Sequence, residues 1–153
     1  LVPVCRPGFV SAAEAEDPAA TLAAKRLIFD PGYPQQWAEW AQANGIEPPS
    51  LTGALRFTAE EQILAAAGRG LGIAIGLRPM IDEMLEAGTL VAPFGGRSGE
   101  SGACYWLAWQ KDAKPTVPAQ KVLRWLETLA ARTVASGDAA AAPEKIVKRR
   151  RVR

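Results

Sequence analysis

The sequence predicts an α/β fold built on a largely parallel or mixed sheet. Two observations carry this expectation. Short apolar runs of strand length alternate along the chain with segments whose apolar residues recur at helical spacing. The run 103–109 is also apolar on both faces, as a central strand covered by helices on each side requires. With 153 residues, 48% of them hydrophobic and 22% charged, the chain has the composition and length of one ordinary globular domain with a real core.

The elements follow in order. Residues 1–5 read as a short strand, broken by Pro7-Gly8, with a short helix over 9–15. Asp17-Pro18 sets an N-cap residue before proline at the first helical position, and a turn of helix follows over 19–24. A buried strand over 26–29 ends in the turn Asp30-Pro31-Gly32. Pro34 opens a helix with Trp37, Trp40 and Ala41 on one face, and Asn44-Gly45 stops it. Residues 51–57 are strand-like. Thr58-Ala59-Glu60-Glu61 fits a capping box, from which a helix runs to Gly68.

In the strand 71–77, Leu71, Ile73, Ile75 and Leu77 alternate with small residues. A helix over 79–87 turns Met80, Ile81, Met84 and Leu85 inward and Asp82, Glu83 and Glu86 outward. A strand over 89–92 stops at Pro93. A glycine-rich loop, read as mobile, spans 95–102. An amphipathic helix lies within 117–133, and residues 136–153 read as a disordered alanine-rich and basic tail.

Composition excludes several chemistries. The chain has no histidine, which removes Ser-His-Asp and Cys-His catalysis and the HExxH metal sites. Its two cysteines, Cys5 and Cys104, sit in apolar runs and read as small buried hydrophobes, so neither a metal nor a cofactor is expected. No run of 18 apolar residues and no leader pattern is found, which makes a cytoplasmic location the expectation. Residues 137–153 carry a net charge of +4 within a chain total of +2, so residues 1–136 sum to −2 and are not built to hold a polyanion. Gly68-Arg69-Gly70-Leu71-Gly72 is no dinucleotide loop, because it ends a helix and enters a strand, the reverse of what phosphate binding at a helix start needs.

Three stretches together carry a family resemblance. The first is Pro3-Val4-Cys5-Arg6-Pro7, followed by Leu27-Ile28-Phe29-Asp30 and Trp37. The second joins Phe57-Thr58 to Ile63–Ala67, Gly68-Arg69-Gly70-Leu71-Gly72-Ile73-Ala74, Pro79-Met80 and Leu85-Glu86-Ala87-Gly88-Thr89-Leu90-Val91-Ala92-Pro93-Phe94. The third is Tyr105-Trp106-Leu107 with Val122, Trp125 and Leu126. In this order they resemble the effector-binding domain of LysR-type transcriptional regulators, nearest to the glycine-cleavage-activator type, over residues 1–132.

The resemblance implies a type 2 periplasmic-binding-protein-like fold. Residues 1–135 would form part of that domain. Within it, 1–109 would make a largely complete second lobe and the helix 117–133 would return to a mostly missing first lobe. The implied function is sensing of a small metabolite within a transcription regulator, with no enzymatic activity. DNA would be bound only through a helix-turn-helix outside this chain, and the full-length protein would be a homo-oligomer with no membrane contact. The alternative is a stand-alone solute-binding module of the periplasmic type.

In open α/β sheets ligands sit beyond the carboxyl ends of the strands. The strand 26–29 ends at Asp30 and leads to Tyr33, the strand 51–57 ends at Thr58, and the strand 71–77 ends at Arg78. These residues, with Trp37 as an apolar side, are the candidate effector site, suited to a small carboxylate. The alternative is that Thr58 only caps its helix and Arg78 only meets solvent.

Overall fold

In the computed structural model, which describes residues 1–78, 80–99, 108–110, 116–136 and 150–152, the sheet is organised around two strands that are apolar on both faces. These are Leu27–Phe29 (β2) and Ile73–Gly76 (β4), which run parallel with Ile28 opposite Ala74. Val2–Val4 (β1) pairs antiparallel with β4, and the two-residue strand Leu55–Arg56 (β3) pairs parallel with β2. The order is β1-β4-β2-β3, a mixed sheet as the alternation of segments predicts.

Helices cover both sheet faces. One face holds Leu22, Leu27, Ile73, Ile75 and Phe94 against Trp37, Trp40 and Ala41 of Gln36–Ala43 (α3). The other holds Val2, Val4, Ile28 and Ala74 against Ile63, Leu64, Ala66 and Ala67 of Glu60–Gly68 (α4), together with Ile81 and Leu90. The small-residue face of β4 is what permits this second layer to sit close. A Cβ on Gly76 would stand 2.5 Å from Cγ2 of Ile81, so glycine is required there by contact rather than by backbone conformation.

Two short helices precede β2. Ala12–Ala15 (α1) begins three residues later than the predicted 9–15, at a complete capping box in which Ser11 and Glu14 satisfy each other's backbone. Pro18–Ala24 (α2) has Asp17 as its N-cap, its side chain accepting from Ala20 N at 3.0 Å.

The structure corrects other expectations. The helix expected from Pro34 starts at Gln36. The strand expected over 51–57 is reduced to Leu55–Arg56, because the chain turns at Gly53 and Ala54 N donates to Leu51 O. The strand expected over 89–92 is a single bridge between Val91 and Cys5. The helix expected over 79–87 is Asp82–Glu86 (α5), and Met80, expected inward, is 51% exposed while Ile81 is buried.

The loop read as mobile is tied down over its described part. The backbone nitrogens of Leu1 and Gly99 each donate to the other's carbonyl, at 2.7 and 2.9 Å, and the Trp40 indole donates to Arg97 O at 3.0 Å.

The chain divides into two compact units, Leu1–Ser101 and Gly102–Arg153. The second contains Ala108–Gln110 (β5), Val117–Ser136 (α6) and Arg150–Val152 (β6). Residues 150–152 are therefore not a structureless tail end: they form a strand parallel to β5. The expected helix 117–133 extends to Ser136. Of the expected strand 103–109, residues 103–107 lie outside the described residues, as does Cys104. No helix among the described residues is long and apolar enough to cross a membrane.

Candidate functional site

Parallel pairing brings the carboxyl ends of β4, β2 and β3 side by side, at the roughly 5 Å strand spacing of a sheet. Asp30, Thr58 and Arg78 follow these three ends. Asp30 is held by its own turn, its Oδ1 accepting from Gly32 N at 2.7 Å and its carbonyl from Tyr33 N at 2.9 Å. That turn leaves Tyr33 51% exposed. Because β1 is antiparallel and Val2 lies opposite Gly76, Leu1 joins the same rim.

Thr58 is exposed and does not cap α4. The N-cap is Ala59, with no side-chain hydrogen bond, so the capping box expected from Thr58 is not formed. The first-turn N–H groups of α4 consequently have no side-chain cap, but Glu60 and Glu61 already occupy the positive end of the helix dipole. Partial burial, and secondarily Glu61, push the Glu60 carboxyl above its ordinary value.

Arg78 is not a free cation. Its Nε lies 3.4 Å from Oδ1 of Asp82, within ion-pair range, although that oxygen has no partner in hydrogen-bond geometry. Its guanidinium can therefore be recruited by an anion at the cost of weakening one half-exposed pair.

Trp37 is placed otherwise than expected. It is 1% exposed, its indole donates to Ile28 O at 3.1 Å, and its ring meets Trp40 edge-on at 6.4 Å between centroids. It is a core residue behind β2 rather than an open apolar wall. The rim thus gathers Asp30, Tyr33, Thr58 and Arg78, and leaves Trp37 in a supporting position.

At the opposite end of the sheet, sequence reasoning missed a groove of about 490 Å³ between α2 and the segment 47–54, with Lys25, Arg26, Ser50 and Thr52 in its wall. No sequence motif marks it, since it arises from the short β3 and the turn before it. No group of side chains among the described residues has the make-up of a metal site.

A mixed sheet layered by helices on both faces, with its polar strand ends gathered on one rim, is the architecture of periplasmic-binding-protein-like sensing domains. The chain belongs to the LysR substrate binding domain family, whose profile matches residues 1–131.

Among known proteins, it is 34% identical over 128 residues to the transcriptional activator AmpR of Enterobacter cloacae, covering 82% of this chain and 42% of that one. It is 33% identical over 93 residues to the transcriptional regulator TrpI of Pseudomonas aeruginosa, covering 61% of this chain and 32% of that one.

Among solved structures, the effector domain of AmpR of Pseudomonas aeruginosa superposes with a TM-score of 0.69 at 26% identity, over 86% of this chain and 61% of that one. The AmpR effector binding domain of Citrobacter freundii gives 0.68 at 26% identity, over 86% and 64%. The chain therefore spans less than two thirds of each of these relatives. They are transcriptional regulators, which does not favour the stand-alone solute-binding alternative.

Proposed function

We propose that this chain is the small-effector-sensing part of a LysR-type transcriptional regulator of the glycine-cleavage-activator branch, and that effector binding is read out as altered DNA binding elsewhere in the regulator. The observation that carries this reading is the superposition on two effector domains over 86% of the chain, in agreement with the family match over residues 1–131. On this reading the regulator acts in the cytoplasm as a homo-oligomer, through a helix-turn-helix outside this sequence. Residues 1–109 are assigned to one lobe of the domain and residues 117–133 to the other.

The effector site is the carboxyl-end rim, and its ligand is a small carboxylate. Arg78 supplies the charge, Thr58 and Tyr33 supply hydroxyl groups, Asp30 takes a donor of the ligand, and Trp37 holds β2 from behind. Glu60 and Glu61 disfavour an anion on the axis of α4, so the carboxylate sits toward Arg78.

The test uses the full-length regulator, with operator affinity followed as effector is titrated. Thr58→Ala and Arg78→Ala should abolish the effector response and leave basal operator affinity intact. An unchanged response in both variants would overturn this site.

A further inference from the structure

Residues 97–99 belong to no helix or strand, and α3 holds them. The Trp40 indole donates to Arg97 O at 3.0 Å. The Asn44 side-chain amide donates to Ser98 O at 3.2 Å and to Trp40 O at 2.8 Å. Gly99 then passes against the helix itself, where a Cβ would stand 3.0 Å from Cα of Trp40 and 3.4 Å from Cβ of Ala43. On its other side Gly99 pairs with the backbone of Leu1. Beneath the segment, the Trp40 ring packs on Phe94 at 5.7 Å between centroids. Two successive carbonyls are thus fixed by side chains of one helix, and the residue after them has no slack against its backbone. The chain then runs on to Gly102, where the second unit begins.

The other end of α3 starts at the rim. Tyr33 N donates to Asp30 O at 2.9 Å and Gln36 N to Tyr33 O at 3.2 Å, so the turn presenting Asp30 and Tyr33 continues into the first turn of the helix. Trp37 lies in that first turn, buried and tied to Ile28 O. From Trp37 to Asn44 the helical path is roughly 10 Å long. A small tilt about Trp37, set off as the turn closes on a ligand, carries the Arg97 and Ser98 carbonyls with it, because packed contacts move as blocks rather than deform.

We propose that α3 is a lever pivoting on Trp37 that passes occupancy of the rim to residues 97–99, with Trp40 and Asn44 as positioning residues. The inference rests on the effector reading of the rim and adds the route of its output. Asn44 carries the clearest discrimination. As the residue that ends α3 it has a structural role, but that role alone would leave 97–99 indifferent to the rim. Its second amide proton, spent on Ser98 O, is the link that the lever requires.

Acetate, the smallest stable carboxylate of the proposed class, is the probe. It is titrated into the isotope-labelled whole chain and followed by NMR. The Thr58 and Arg78 amides should shift as the rim fills. The Arg97 and Ser98 amides and the Trp40 indole N–H should shift with the same midpoint. In Asn44→Ala the rim amides should keep that midpoint while the Ser98 response is lost. Gly99→Ala leaves every α3 side chain in place and pushes the segment off the helix, so it should give the same split, and it replaces Asn44→Ala if that variant does not fold. Rim shifts in the wild type with none at 97–98 would overturn the lever and leave the rim as the effector site. An undiminished Ser98 response in the folded variants would also overturn the lever. Silence at both Thr58 and Arg78 would overturn the rim reading, and the lever with it.

Discussion

The indole Nε1 of Trp37 donates to the carbonyl oxygen of Ile28 at 3.1 Å, inside a core where both residues are buried. This bond ties the first turn of α3 to the central strand whose end carries Asp30. Trp37→Phe keeps most of the ring and removes the donor, and should cost about 1–3 kcal/mol in urea unfolding. Trp40→Phe removes a bond to Arg97 O that is only partly buried, and should cost less. Equal losses for the two would contradict the assignment of Trp37 as the tie between helix and strand.

Gly76 and Ile81 are fitted to each other. A Cβ added to Gly76 would stand 2.5 Å from Ile81 Cγ2, and the residue that must yield is itself fully buried. Gly76→Ala should therefore destabilise by about 1–3 kcal/mol through overpacking. In an Ile81→Ala background the added methyl enters vacated space, so the same change should cost much less. A double-mutant cycle in denaturant reads the coupling directly, and additive effects would show that the strand relaxes by another route.

Much of this architecture is legible in the sequence, and the failures have physical causes. The alternation of Ile73 and Ile75 with Ala74 and Gly76 announces a strand with one face made for close packing, and the structure uses it so. Asp17-Pro18 and Asn44-Gly45 mark helix ends because their signals are local. Thr58 misled because Thr-Ala-Glu-Glu and Ala-Glu-Glu-Gln offer two starts one residue apart, and the chain takes the one whose N-cap has no side-chain oxygen. Met80 misled because it precedes α5, which begins only at Asp82, so helical periodicity does not govern where its side chain goes.

The candidate site was legible only in part. Asp30, Tyr33, Thr58 and Arg78 are found by counting to strand ends. That Trp37 would serve the core rather than the rim depends on its bond to Ile28, and that Arg78 would meet Asp82 depends on the helix that follows. Neither is a pattern in one dimension.

Ala59 has the extended backbone of an N-cap, φ −124° and ψ 129°, without a side chain able to fill the role. Ala59→Ser should supply the missing acceptor to the first-turn N–H groups and stabilise the fold by about 0.5–2 kcal/mol. Thr58→Ala should change stability by under about 0.5 kcal/mol, because the threonine caps nothing. Thermal melts of the two variants distinguish this from the capping box expected at Thr58, under which Thr58→Ala would be the costly change.

Glu14 links α1 to the end of α2 in the same unit. Its carboxylate bonds the Lys25 ammonium at 2.8 Å, the Ser11 N–H at 2.8 Å and the Ser11 hydroxyl at 2.9 Å. Lys25 first, and then Ser11, hold its pKa down to about 2 from an ordinary 4.5. A carboxyl whose pKa is depressed by folding contributes stability above its unfolded value and loses it as pH falls through the folded one. The link should therefore be intact at neutral pH and fade between about pH 4.5 and 2. Because the Glu14 side chain is partly exposed, solvent and salt should weaken the effect. A carbon-detected NMR titration of the Glu14 carboxyl should give a midpoint far below the usual glutamate range. Lys25→Met should raise that midpoint more than Ser11→Ala does. An order of effects reversed between the two variants would show that the capping box, and not the ion pair to the end of α2, holds this corner of the fold, and a wild-type midpoint near 4.5 would show that neither contact does.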